Sequence, residues 1–474
     1  MFPDAITSFL QNHSVFATVV GITLLATIAV SPARIIGMAK TRYWHSTQSL
    51  ILKTRDGRTT SLAELCKSFI PPCRLNPLLF NGHLQTIWSV LTRESVPIYY
   101  KRQMFENDDP TYTGQFAVDF VTSPHQESDP NLPPRTTYFT EQEWKNIGSP
   151  DNRPMLVMLH GLSGGSHELY LRHVLAPLVE DGGWDACVII SRGCSKTKVT
   201  TSVLYNARAT WDIRHTVKWL KKTFPNRPLF GIGFSLGANI MTNYLGEEGS
   251  NCAFKAAVVL SNPWDLQASS LALQRTWFNR TAYSKTMGQN MKMLFETHFE
   301  QISMNPKIDV DLVRKGKYLH EFDRYVQGPT WGYPTEGAYY RDASSVDSLL
   351  AIRVPFLAIH AEDDPVTASE ALPREEVQQT PFGVLCTTTT GGHLSWFELG
   401  GTRWFAKVTT AFFQKMAHEI DLDAVPKTDV NGVQHEGEIS RQQREPLTPI
   451  FEPMRRKLHL PVPEPGHRRR RRLE

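Results

Sequence analysis

The chain has 474 residues, with 51 Lys+Arg against 47 Asp+Glu and a formal net charge of +4. Apolar residues make up 41 %, aromatic residues 10 % and charged residues 21 %, an ordinary globular usage that excludes wholesale disorder, collagen and a multi-span membrane protein. The basic excess resides in the consecutive arginines Arg468–Arg472, so the rest of the chain offers no basic face for nucleic acid.

Cys66, Cys73, Cys187, Cys194, Cys252 and Cys386 form no CxxC pair. Their spacing fits neither a zinc site nor a disulfide framework, so reduced, mostly buried thiols are expected, with no metal and no cofactor.

From Ala5 to Ala33 there is no Asp, Glu, Lys or Arg, and Val15–Val30 is almost entirely apolar. As a helix that core spans about 24 Å, and flanking residues extend it to the roughly 30 Å of a bilayer interior. Asp4 is the only charge before it, whereas a cleaved signal peptide needs a positive start. The segment predicts a single N-terminal membrane anchor, with a helix buried in the protein as the alternative. Arg34, Lys40 and Arg42 follow it, which by the positive-inside rule places the bulk of the chain on the cytosolic side. An endomembrane and a lipid droplet are both compatible with such an anchor.

Short branched apolar runs then recur, each closed by Gly, Pro or polar residues: Met155–Leu159, Ala186–Ile190, Pro228–Ile232, Ala256–Leu260, Val354–Ile359 and Val384–Thr388. Such continuous runs suit parallel strands covered on both faces. The stripe Ile213, Val217, Leu220 predicts a helix within Leu204–Lys222, and a second helix is expected from Ser235 to Gly246. Strand and helix alternate as in a doubly wound, mostly parallel α/β sheet. Residues 261–353 are too many for one crossover, and their Trp277, Phe278, Met287, Met291, Met293, Leu294, Phe295 and Phe299 fit ordinary core or a cap whose apolar underside faces the site.

The chemistry-bearing residues lie at the ends of these strands. Gly233-Phe234-Ser235-Leu236-Gly237 follows an apolar strand and opens a helix, the setting of a nucleophile elbow, where a sharp turn needs small neighbours. His160-Gly161-Leu162-Ser163-Gly164-Gly165 follows the first strand. With the Leu236 N–H, the Leu162 N–H is the expected pair of donors for the oxyanion of ester cleavage. A serine needs a base and the base an orienting acid. His393, in a Gly-Gly loop after the last strand, is the expected base. Asp364 before Pro365 is the expected acid, with Asp363 in reserve and Asp265 as a more distant rival. The order Ser235, Asp364, His393 is that of α/β-hydrolases.

With these residues the chain resembles a membrane-associated branch of the α/β-hydrolases, that of eukaryotic abhydrolase-domain lipases and fungal medium-chain fatty acid ethyl ester synthase/esterases. Asn76-Pro77-Leu78, Gly82-His83-Leu84-Gln85-Thr86, Ser191-Arg192-Gly193-Cys194, Leu204-Tyr205-Asn206-Ala207 and Asp212-Ile213-Arg214 carry the likeness, which spans roughly Asn76 to Ala417. The resemblance implies an α/β-hydrolase fold with the triad on Ser235, Asp364 and His393. It also implies hydrolysis of lipid-like acyl esters such as monoacylglycerols or medium-chain esters, and acyl transfer to alcohols. His83 reads as structural. The expected organisation is an anchor and flank over 1–43 and a hydrolase domain over 44–420 with a cap near 266–350. A disordered Pro/Arg-rich tail is expected over 421–474. The rivals are a non-catalytic acyl-binding or partner-binding protein on the same fold, and a peptidase.

Overall fold

A computed structural model describes residues 38–92, 96–109, 112–127, 129–180 and 183–425. The expected anchor helix and residues 426–474 of the expected tail lie outside the described residues. Among the described residues no helix is long and apolar enough to cross a membrane.

Ten strands form one sheet: β1 (Thr41–Trp44), β2 (Tyr99–Asn107), β3 (Gly114–Thr122), β4 (Thr136–Tyr138), β5 (Met155–Leu159), β6 (Asp185–Ile190), β7 (Leu229–Phe234), β8 (Phe254–Leu260), β9 (Phe356–Ala361) and β10 (Gly383–Thr388). Their spatial order is β1-β10-β9-β8-β7-β5-β6-β3-β2-β4. The six strands from β5 to β10 are mutually parallel. β1 and β3 run antiparallel to the parallel block at its two edges, and β2 antiparallel to β3. Every residue of β5, β7, β9 and β10 is buried. Successive side chains of a strand point to opposite faces, so unbroken burial means that helices cover both.

The sequence pattern located all six parallel strands to within two residues at most ends. β2 and β3 escaped it because charged residues interrupt their apolar runs. Arg102 lies opposite Asp119 in the antiparallel register, and the two form a fully buried pair, Nε to Oδ1 at 2.6 Å.

The helices that position the site are α1 (Gly82–Leu91), α2 (Leu169–Val179), α3 (Trp211–Thr223), α4 (Leu236–Glu248), α5 (Leu266–Arg275), α6 (Lys285–Thr297), α7 (Glu336–Ala343) and α8 (Trp404–His418). Two differ from expectation. α3 begins at Trp211 rather than Leu204, because a tertiary bond and a local side-chain turn hold 204–210 as a buried loop: Ala207 N–H donates to Tyr339 Oη at 2.9 Å, and Asn206 Oδ1 accepts from Arg208 N–H at 2.8 Å. α4 runs past Gly246 to Glu248. Gly246 is small for another reason, since a Cβ there would lie 2.4 Å from the Ser348 carbonyl.

Between β8 and β9 the chain forms an all-helical insertion from α5 through Val346–Leu349. After α8, Asp421 N–H donates to Lys53 O at 2.9 Å, and Leu422 and Val425 pack against the core. Residues 421–425, placed by the sequence reading in the tail, thus lie on the folded body.

Candidate active site

β7 ends at Phe234 and α4 begins at Leu236, leaving Ser235 alone in the turn with φ 53° and ψ −119°. A non-glycine residue with positive φ is strained and persists only where its surroundings hold it. The flanking glycines do that. A Cβ on Gly233 would lie 2.4 Å from the Gly237 carbonyl, and one on Gly237 2.4 Å from the Leu159 carbonyl at the end of β5. The turn closes only because neither residue has a side chain, and closing it lifts Ser235 Oγ off the sheet.

His393 reaches that hydroxyl from the loop after β10. Its Nε2 stands 2.9 Å from Ser235 Oγ and its Nδ1 2.8 Å from Asp364 Oδ2. Asp364 follows β9, and its Oδ1 accepts the N–H groups of Val366 (2.8 Å) and Thr367 (3.1 Å). Burial alone would push the Asp364 carboxyl up. The charge and hydrogen bond of His393, with His360 and the Val366 amide, more than offset this and hold it below the ordinary value. A carboxylate that stays ionised fixes the Nδ1–H tautomer and leaves Nε2 free to accept the serine proton.

The two rival carboxylates make other bonds. Asp363 Oδ1 accepts Gly391 N–H at 2.9 Å and Gly392 N–H at 3.1 Å, so it shapes the histidine loop from beneath. Burial raises its carboxyl to about 6 despite those amides. Asp265 caps α5 by accepting Ala268 N–H at 2.9 Å.

α1 grips the histidine loop from the other side, a role that spacing in the sequence did not reveal. His393 N–H donates to Thr86 Oγ1 at 2.9 Å, and Thr86 Oγ1 donates to Gly82 O at 2.6 Å. Phe397 N–H donates to Gln85 Oε1 at 2.8 Å, and Asn76 N–H to Phe397 O at 2.8 Å. A Cβ on Gly82 would overlap the Asp363 carbonyl at 1.9 Å. The stretch Asn76–Thr86 is thus a clamp on the loops that carry Asp364 and His393. The available signal was a helix with Gly, Gln and Thr at its inward positions.

The early loop closes on Ser235 from β5. A Cβ on Gly161 would lie 3.5 Å from Ser235 Cβ. Gly161 N–H donates to Tyr170 Oη at 2.9 Å and Ser163 N–H to Tyr205 Oη at 3.0 Å. Among the described residues the Leu162 N–H between them has no acceptor. The Leu236 N–H, first in α4, belongs to the group for which a helix supplies no acceptor of its own. His160 is structural: Ser191 N–H donates to its Nε2 at 3.1 Å, its Nδ1 lies 2.7 Å from Gly161 O, and burial lowers its pKa to about 4.

The insertion meets both halves of the site. Tyr205 Oη lies 3.7 Å from buried Met291 Sδ of α6, and Tyr283 Oη lies 2.9 Å from His83 Nδ1. His83 therefore joins α1 to the cap and makes no bond to the triad. Arg192 and Asp212 explain two of the quoted motifs together, pairing at 2.7 Å (Nη2 to Oδ1) and 2.9 Å (Nε to Oδ2) to fix the loop after β6 on α3.

Comparison with known proteins agrees with this architecture. A family model for the alpha/beta hydrolase fold matches residues 154–398. The chain is 35 % identical over 377 residues to a monoacylglycerol lipase of Saccharomyces cerevisiae, covering 75 % of this chain and 83 % of that protein. It is 31 % identical over 386 residues to medium-chain fatty acid ethyl ester synthase/esterase 2 of the same yeast, covering 72 % and 85 %. To Phospholipase ABHD3 of Mus musculus it is 28 % identical over 316 residues, covering 66 % and 70 %. An elbow serine after a parallel strand, a sheet in hydrolase order and these similarities lead to one assignment: the chain belongs to the α/β-hydrolase fold family.

Proposed function

We propose that this chain is a serine hydrolase of lipid-type carboxylic esters, monoacylglycerols or medium-chain fatty acid esters. The observation that carries the reading is the continuous line Ser235 Oγ, His393 Nε2, His393 Nδ1, Asp364 Oδ2, with contacts of 2.9 and 2.8 Å. His393 takes the Ser235 proton as Oγ attacks the ester carbonyl. The carbonyl oxygen becomes an oxyanion facing the Leu162 and Leu236 N–H groups. The intermediate collapses as His393 protonates the leaving alcohol, giving an acyl-serine. Water activated by the same imidazole then attacks the acyl carbon, and the acid leaves as Ser235 regains its proton. An alcohol in place of water returns an ester with no further catalytic group.

The names of the yeast relatives support the choice of ester over amide and of an acyl substrate. The uncharged run Ala5–Ala33 supports a membrane tether with the hydrolase body on the cytosolic side. The test is a panel of p-nitrophenyl esters and monoacylglycerols of varied chain length with wild type and Ser235→Ala. The variant should lose up to about 10⁶ in kcat if the three residues act as a unit. It should also lose labelling by a fluorophosphonate. Turnover near wild type in Ser235→Ala overturns the assignment.

A further inference from the structure

α1 is amphipathic in the reverse sense. Its buried positions are Gly82, Gln85 and Thr86, whereas Trp88 and Leu91 are 45 % and 39 % exposed. A helix normally turns its apolar side to the core. Here the inward side is committed to hydrogen bonds with the histidine loop, and the apolar side faces out.

Other exposed apolar side chains stand on segments bonded to the clamp or next to a residue in ring contact with it. Leu78 and Leu399, each 72 % exposed, sit on two loops joined by the Asn76–Phe397 hydrogen bond. Trp277, 77 % exposed, precedes Phe278, whose ring meets His83 of α1 edge-on at 5.1 Å between centres. Met38, 52 % exposed, lies in a two-residue strand paired with Cys73–Arg74, just before the clamp. Exposed apolar side chains gathered on segments bonded to one another mark a candidate interaction site.

Where the chain continues narrows the partner. Met38 is the point at which residues 1–37, with the uncharged run Ala5–Ala33, join the described body. Lys40 and Arg74 are exposed beside that junction, and among the described residues neither has a carboxylate partner. Tryptophans next to aliphatic side chains, with cations at the edge, match the layering of acyl chains, interface and phosphate in a bilayer.

We propose that the rim formed by Met38, Leu78, Trp88, Leu91, Trp277 and Leu399 seats on a phospholipid bilayer, so that the loops carrying His393 are held against the lipid surface. Its consequence for activity rests on the ester-hydrolase reading; the seating itself does not.

The test uses the full chain in phosphatidylcholine vesicles containing phosphatidylserine. Nitroxides are placed by Trp88→Cys, Leu78→Cys and, as a reference beyond β4, Lys145→Cys. The background is Cys252→Ser, because the other five thiols are buried. Labels at 88 and 78 should show raised access to oxygen and lowered access to a water-soluble nickel chelate relative to 145. Nickel access equal to that at 145 overturns the proposal. So does shelter from both quenchers, which would mean that residues 1–37 or a second copy of the chain cover the rim.

In the activity arm, Trp88→Gln/Leu91→Gln should turn over vesicle-borne monoacylglycerol about tenfold more slowly. Turnover of a water-soluble p-nitrophenyl ester should be unchanged. Equal loss on both substrates overturns the proposal. An active Ser235→Ala would sink the catalytic reading and leave the depth measurement standing.

Discussion

Thr86→Val tests whether the clamp holds the base in place. Valine keeps the shape of threonine, but it removes the acceptor for His393 N–H (2.9 Å) and the donor to Gly82 O (2.6 Å). Thr86 is only 7 % exposed, so water does not readily replace either bond. A buried donor left unsatisfied costs about 1–3 kcal/mol. The loop can relieve that cost by moving at Gly392, which has φ +65°, and such a movement withdraws Nε2 from Ser235 Oγ. If the whole penalty falls on the aligned conformation, kcat drops about 5- to 150-fold. KM should change little, because the substrate does not touch Thr86 in this reading. The assay is steady-state hydrolysis of a soluble p-nitrophenyl ester, with Thr86→Ser alongside. Serine restores the hydroxyl and should recover most of the rate, which a packing role for the threonine methyl would not predict. A folded Thr86→Val enzyme with kcat within about twofold of wild type would refute the reasoning.

Asp364→Asn should lower kcat by about 10³–10⁴, because an amide beside Nδ1 favours the wrong imidazole tautomer. Asp363→Asn and Asp265→Asn should each keep most activity, and a reversed ranking in the same assay would move the acid to another residue. Asp363 also predicts a pH effect. Its carboxyl is raised from 3.8 to about 6, so the native state holds a proton that the unfolded chain has released. That contribution to stability is full below pH 3.8 and is lost as pH rises through about 6. Asp363→Asn should therefore flatten the melting temperature between these values and match or exceed wild type above them, in thermal melts across the range. Gly237→Ala would set a methyl 2.4 Å from the Leu159 carbonyl and 2.5 Å from that of His160. Overpacking of this kind costs about 1–3 kcal/mol or more, and circular dichroism should show a lowered melting point together with lost turnover.

How much could be read from the sequence follows from where the polar groups sit. β5 to β10 were legible because burial on both faces demands unbroken apolar runs. β2 and β3 were not, because Arg102 and Asp119 satisfy each other inside the sheet and disguise two strands as polar stretches. Ser235, Asp364 and His393 were legible for a different reason: each stands just after a recognisable strand among residues that a turn requires. The clamp was hidden because its work is done by ordinary side chains, Gln85 and Thr86, on a helix whose pattern is inverted. Their partners lie more than three hundred positions away, and no local period encodes that. A tertiary bond likewise helped to override the apparent helix at 204–210, where Tyr339 of α7 takes up a backbone donor.

The place of β1 has a practical side. It pairs antiparallel with Leu385–Thr388 of β10, and the Arg42 guanidinium meets Glu362 at 2.6 Å. Removing the uncharged run Ala5–Ala33 is an obvious way to shorten the protein. A cut after Trp44 would strip the border strand and leave a raw edge open to pairing with other molecules. Trimming should leave the residues from Met38 onward intact, since Met38–Ala39 already pairs with Cys73–Arg74.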